Sequence, residues 1–120
     1  MSVLRLRSDA YSEANAAKPS VAAGAGAGTG PTGLANTGRD SFGTCTVTAG
    51  TSPAAGTLFT VTFANPYTVA PDAVLVSAAD SATATVGSFY ASATTTALTI
   101  GTHGTPSGTM KLNYVVLGGV

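Results

Sequence analysis

The sequence predicts an all-β protein: an antiparallel β-sandwich or jelly-roll-like domain, preceded by an extended N-terminal arm and a Gly-rich linker. Three observations lead there. From Ser41 onward apolar and hydroxyl side chains alternate with period two, the repeat of a strand with one buried face. The alternating stretches are rich in Thr and Val, β-branched residues that suit a pleated surface. Each is bounded by turn chemistry: Thr51-Ser52-Pro53, Asn65-Pro66, Ala70-Pro71-Asp72, Ala79-Asp80-Ser81 and Gly104-Thr105-Pro106-Ser107-Gly108. Short strands at close spacing, with no helical periodicity between them, read as a sandwich or barrel.

The chain divides into an arm (1–18), a linker (19–40) and a β-domain (41–120). In the arm, "SVLRLR" sets Leu4 and Leu6 against Arg5 and Arg7 if extended, an amphipathic edge. "SDAYSEANAAK" follows, where Ser8 could cap a short helix that Lys18 and Pro19 close; so short a helix is marginal alone in water. The arm therefore reads as a segment ordered against a partner. Residues 19–40 are dominated by Gly, Ala, Pro and Thr, the composition of a hinge or tether. Gly28-Thr29-Gly30-Pro31-Thr32-Gly33 fits G-x-G-x-x-G. A dinucleotide site needs more: a hydrophobic strand before that motif, a helix after it and an acidic residue further on. Ser20–Ala23 is only a weak strand, and no helical pattern follows.

Six strands are predicted in the β-domain, over 41–48, 56–64, 73–79, 85–92, 95–101 and 109–118. The first sets Phe42, Thr44, Thr46 and Thr48 against Gly43, Cys45 and Val47; the second sets Phe59, Val61 and Phe63 against Leu58, Thr60 and Thr62. The predicted core is Phe59, Val61, Phe63, Val74, Val76, Phe89, Leu98, Ile100, Leu112, Tyr114 and Val116. The last strand is apolar on both faces at Tyr114, Val115, Val116 and Leu117, as expected of a central strand or of one covered by another subunit.

Composition excludes several classes of function. The net charge is zero, and after Ser41 only Asp72, Asp80 and Lys111 are charged, so phosphate-driven nucleic-acid binding has no basic cluster to use. No apolar run is long enough for a membrane span, and Arg5 and Arg7 break the short apolar stretch that a signal peptide would need. The expectation is synthesis in the cytoplasm without an export signal. Cys45, the single cysteine, reads as a small buried hydrophobe. His103 is the one histidine, and Asp72 and Asp80 sit at turns. That inventory is too thin for a catalytic constellation or a metal site, so no enzyme, cofactor or metal is expected.

The stretch "AAGTLFTVTFANPYTVAPDAVLVSAAD" and the closing "KLNYVVLG" resemble small β-domains of bacteriophage structural proteins, found on virion surfaces and at the distal ends of tail appendages. The resemblance rests on the Thr60-Val61-Thr62-Phe63 strand, the Pro66-Tyr67 turn, Pro71 before Val74-Leu75-Val76, and Asn113-Tyr114-Val115-Val116. It covers residues 41–120. It implies a non-enzymatic virion protein, often a homotrimer.

A Met start about 40 residues before the domain fits a capsid decoration protein better than a long fibre. On that reading Leu4, Arg5, Leu6, Arg7 and Tyr11 anchor the protein to the major capsid protein, apolar residues entering a groove or sheet edge and arginines meeting acidic groups. Tyr114, Val115, Val116 and Leu117 are the expected trimer contacts. The other reading is a receptor- or host-glycan-binding module of the tail using Asn65, Tyr67, Asp72, Asp80 and Tyr90. Against it stands the reading in which Tyr67 packs beside the Pro66 turn and Tyr90 fills the sandwich.

Overall fold

The computed structural model describes residues 18–119. The predicted arm contacts Leu4, Arg5, Leu6, Arg7 and Tyr11, with most of the arm, lie outside the described residues. Among the described residues, eight strands form two antiparallel four-stranded sheets that pack into a β-sandwich. The strands are β1 (Ser20–Ala23), β2 (Thr32–Asn36), β3 (Phe42–Thr48), β4 (Gly56–Thr62), β5 (Ala73–Ala78), β6 (Phe89–Ala93), β7 (Ala97–Thr102) and β8 (Thr109–Leu117). One sheet has the order β1-β4-β7-β6 and the other β2-β3-β8-β5. One short helix, α1 (Ser81–Ala84), lies between β5 and β6.

Where the sequence predicts a tether, the structure has two strands joined through a 3-10 turn at Ala25–Ala27. β1 pairs with β4, and β2 pairs with β3. Backbone bonds hold the stretch between them: Gly24 N–H to the Leu58 carbonyl at 2.9 Å, Gly50 N–H to Ala27 at 2.8 Å, and reciprocal Thr29–Thr51 bonds at 2.8 and 2.9 Å. The small residues that suggested flexibility permit this approach, since a Cβ on Gly24 would sit 2.3 Å from the Thr57 carbonyl oxygen. Glycine is selected here for backbone proximity rather than for freedom.

Of the predicted core, Phe59, Val61, Phe63, Leu98, Ile100, Leu112, Tyr114 and Val116 are buried, while Val74, Val76 and Phe89 are half-buried against them. Leu58 departs from the prediction. It lies fully buried beside Phe59, because the β4–β7 register slips between Thr57 and Phe59 and makes Leu58 an extra residue opposite Gly101 and Ile100. Such a bulge suspends the alternation of faces for one step. The strand predicted to begin at Thr85 begins at Phe89 instead. Asp80 caps α1 by accepting the Thr83 N–H at 2.8 Å, and the buried Thr83 hydroxyl accepts the Lys111 N–H of β8 at 2.9 Å.

The loop from β2 to β3 ties the two sheets together at one end. Asn36 Nδ2 donates to the Tyr114 hydroxyl at 2.9 Å, and that hydroxyl donates to the Arg39 carbonyl at 2.5 Å. One residue on, the carboxyl oxygens of the buried Asp40 accept the backbone N–H groups of Ala64 and Asn65 at 2.8 and 2.9 Å, just beyond β4 in the other sheet. Val116 N–H bonds to the Ser41 carbonyl at 2.8 Å. Among the described residues no buried side-chain polar atom lacks a partner, as a low-dielectric interior requires. Asp40→Ala would strand two backbone donors, and we expect a loss of roughly 2–4 kcal/mol. Denaturant unfolding of the variant checks this.

Candidate functional site

The residues able to do chemistry are spread apart. Asp72 and Asp80 lie beyond opposite ends of the six-residue β5, a strand about 20 Å long. Cys45 is fully buried and faces Leu112 across the ladder. Burial pushes its thiol up to about 12, far from the thiolate a nucleophile needs. Among the described residues no group of three or more His, Cys, Asp or Glu could hold a metal ion, and no helix is long and apolar enough to cross a membrane.

The five residues expected to meet a glycan do not converge. Tyr67 is only 3 % exposed and packs edge-on against Phe63 at 4.9 Å. Its hydroxyl lies 3.3 Å from Ser41 Oγ, so the ring closes one end of the core and offers no stacking face. Asn65 gives its backbone N–H to Asp40. Asp72 is exposed at the end of the same loop, and its N–H meets the Leu117 carbonyl at 2.9 Å. The Asp80 carboxyl is held below the usual range by the Thr83 backbone N–H and then its hydroxyl, as befits a helix cap. Tyr90 alone presents a ring. It is 41 % exposed and points out of the sandwich, covering its cross-strand partner Gly101 and lying 4.9 Å from the His103 ring.

The expected trimer contacts also separate, by the period of the strand. β8 is central, between β3 and β5, so Tyr114 and Val116 point into the core and are not available to a partner. Val115 and Leu117, half-buried, lie on the outer face.

That outer face is the gathered feature of the molecule. Register brings Phe42 of β3, Val115 of β8 and Leu75 of β5 into one row across the sheet, with Leu117 and Ala73 paired beside it. Leu75 is 59 % exposed. A hollow of about 300 Å³ opens there, lined by Leu75, Val76, Ser77, Asn113, Tyr114 and Val115. Toward the other end the face turns to hydroxyls and amide: Thr44 Oγ1 donates to Asn113 Oδ1 at 2.7 Å, and Thr48 and Thr109 hydroxyls lie 2.9 Å apart. Lys111, opposite Thr46, is the one charged side chain on these four strands. The surface suits contact with another uncharged protein surface and supplies no reacting group.

No protein-family model, no curated protein and no solved structure matches the chain.

The Cys45 environment makes two outcomes testable. Because the folded thiol stands above its ordinary value of 9.0, the native state holds the proton longer than the unfolded chain. Its contribution to stability is complete below pH 9 and is lost as pH rises toward 12, at up to about 1.4 kcal/mol per pH unit. Tyr114, also raised by burial, adds in the same direction above its ordinary range. Denaturant midpoints at rising alkaline pH should fall, and a maleimide should label native Cys45 only at the rate of unfolding.

Proposed function

We propose that the protein is a non-enzymatic structural component of a bacteriophage particle: a capsid decoration protein in which the N-terminal arm binds the major capsid protein and the β-sandwich stands on the virion surface. The observation that carries this reading is the outer face of the β2-β3-β8-β5 sheet, where an apolar row grades into hydroxyls with a single charged side chain. A face of that kind makes contacts that salt scarcely screens. Together with the sequence resemblance, it favours assembly over catalysis. Several copies held together would engage several arms on one lattice, raising avidity by a factor of about 10² to 10⁴ where the geometry allows.

One observation favours a second reading, a tail receptor- or glycan-binding module. Tyr90 of β6 and His103, just past the end of β7, form an exposed pair of rings at the opposite sheet, and sugar rings stack on such surfaces.

Co-sedimentation with undecorated shells tests the first reading. The full chain should pellet with the shells, and a Leu4→Asp, Leu6→Asp variant should bind at least about tenfold more weakly, as expected when apolar anchors are lost. Equal binding by the variant would remove the arm from the account. A glycan-array signal abolished by Tyr90→Ala would favour the second reading.

A further inference from the structure

We infer that two copies of this chain associate about a two-fold axis through the outer edge of β5, joining two sheets into one continuous sheet. The inference stands on the sandwich alone and is independent of where the protein is used.

Among the described residues each sheet leaves two edge strands: β1 and β6 in one, β2 and β5 in the other. Edge strands carry unpaired backbone groups, and soluble proteins blunt them with brevity, proline, bulges or charge. β1 has four residues and follows Pro19, and β2 is interrupted by a register shift between Thr32 and Ala35. β6 has five residues, one fewer than β5. β5, "AVLVSA", is the longest of the four and has no charge, no proline and no register shift in its pairing. It is the edge the sequence leaves without a blunting device of its own, with β6 of the other sheet running close beside it.

The direction of its free groups follows from the ladder. Ala79 N–H bonds to the Lys111 carbonyl. By the two-residue alternation of an antiparallel pair, Ser77 and Leu75 direct their backbone groups at β8, and Val74, Val76 and Ala78 direct theirs outward. Outward groups at every second residue are what an added antiparallel strand requires.

A second copy is the occupant these features fit. The edge and its flanking row are neutral, so a charged partner strand would have to desolvate its charges without compensation. An identical strand brings none within its six residues, and its flanking Asp72 and Asp80 lie beyond the paired segment. Antiparallel pairing of one strand with itself is isologous, the arrangement a two-fold axis imposes. It sets Leu75 of each copy close to the other and extends the row of Phe42, Val115 and Leu75 across the junction. This is a dimer, where the sequence resemblance implies a trimer.

A six-residue strand is about 20 Å long, so paired edges and their flanking side chains reach only the lower end of specific interfaces, and a Kd of about 1–100 μM is expected. Sedimentation velocity of the full chain should show monomer passing to dimer between about 1 and 500 μM, with Leu75→Lys weakening the dimer at least about tenfold. Val69→Lys should leave it unchanged, since Val69 is 57 % exposed but lies in the β4–β5 loop, off the strand. Hydrogen exchange on the unaltered chain gives a readout that no variant can confound: protection of the Val74, Val76 and Ala78 amides should rise with protein concentration. A monomer throughout, a trimer, or exchange at those amides that ignores concentration would overturn the inference.

Discussion

The hydroxyl of Tyr114 crosses from the middle of β8, over the bare backbone of Gly43, to the loop that leaves β2, and most of the sandwich depends on its being satisfied there. Buried in the core, this phenol has two partners: it accepts from Asn36 Nδ2 and donates to the Arg39 carbonyl. The passage is open only because residue 43 has no side chain, since a Cβ there would lie 2.9 Å from the hydroxyl and 2.8 Å from Asn36 Oδ1. Asn36 is fixed in turn by accepting the Gly38 N–H at 2.7 Å. A tyrosine, an asparagine and two glycines thus close the β2–β3 hairpin onto the central strand. The next residue, Asp40, carries the same loop to the opposite sheet.

This arrangement answers a problem posed by composition. With 22 alanines, 15 glycines and few large apolar residues, the chain has a small core, and small domains bury a modest share of their surface. Backbone and side-chain hydrogen bonds supply the specificity that volume cannot. The Gly-rich stretch from 24 to 30 works the same way, bonding backbone to backbone along the β3–β4 loop. The few charges in the β-region then serve local tasks, such as the Asp80 cap of α1, and leave Lys111 as the one charged side chain on the strands of the β2-β3-β8-β5 sheet.

Much of the fold was legible because period-two patterning is local. The inward set Phe59, Val61 and Phe63 needs only its own strand to be read, and all three are buried. The same alternation separates Val115 and Leu117 from Tyr114 and Val116 once β8 is known to be central. Three features were not legible. The strand character of 32–36, and the firm pairing of the weakly patterned 20–23, come from paired backbones, and segments whose β-branched residues are Val21 and Thr32 alone do not announce it. Leu58 turns inward through a bulge that its own alternation contradicts. The Phe42–Val115–Leu75 row and the Tyr90–His103 pair exist only after inter-strand register is set, and for the row that register joins strands far apart in sequence. Tyr67 shows the same limit in reverse: a tyrosine beside a Pro turn reads equally as recognition ring or plug, and its 3 % exposure decides for the plug.

The most direct test of the clasp is a double-mutant cycle on its long-range bond, using Tyr114→Phe, Asn36→Ala and the pair. If the Tyr114 hydroxyl and Asn36 amide stabilise the sandwich through each other, the single changes should each cost about 1–3 kcal/mol and the pair clearly less than their sum, a coupling of about 1 kcal/mol or more. Additive effects, with coupling within about 0.3 kcal/mol of zero, would mean that the hairpin is held onto β8 by the ladder alone and that the clasp is not the constraint on which the fold rests.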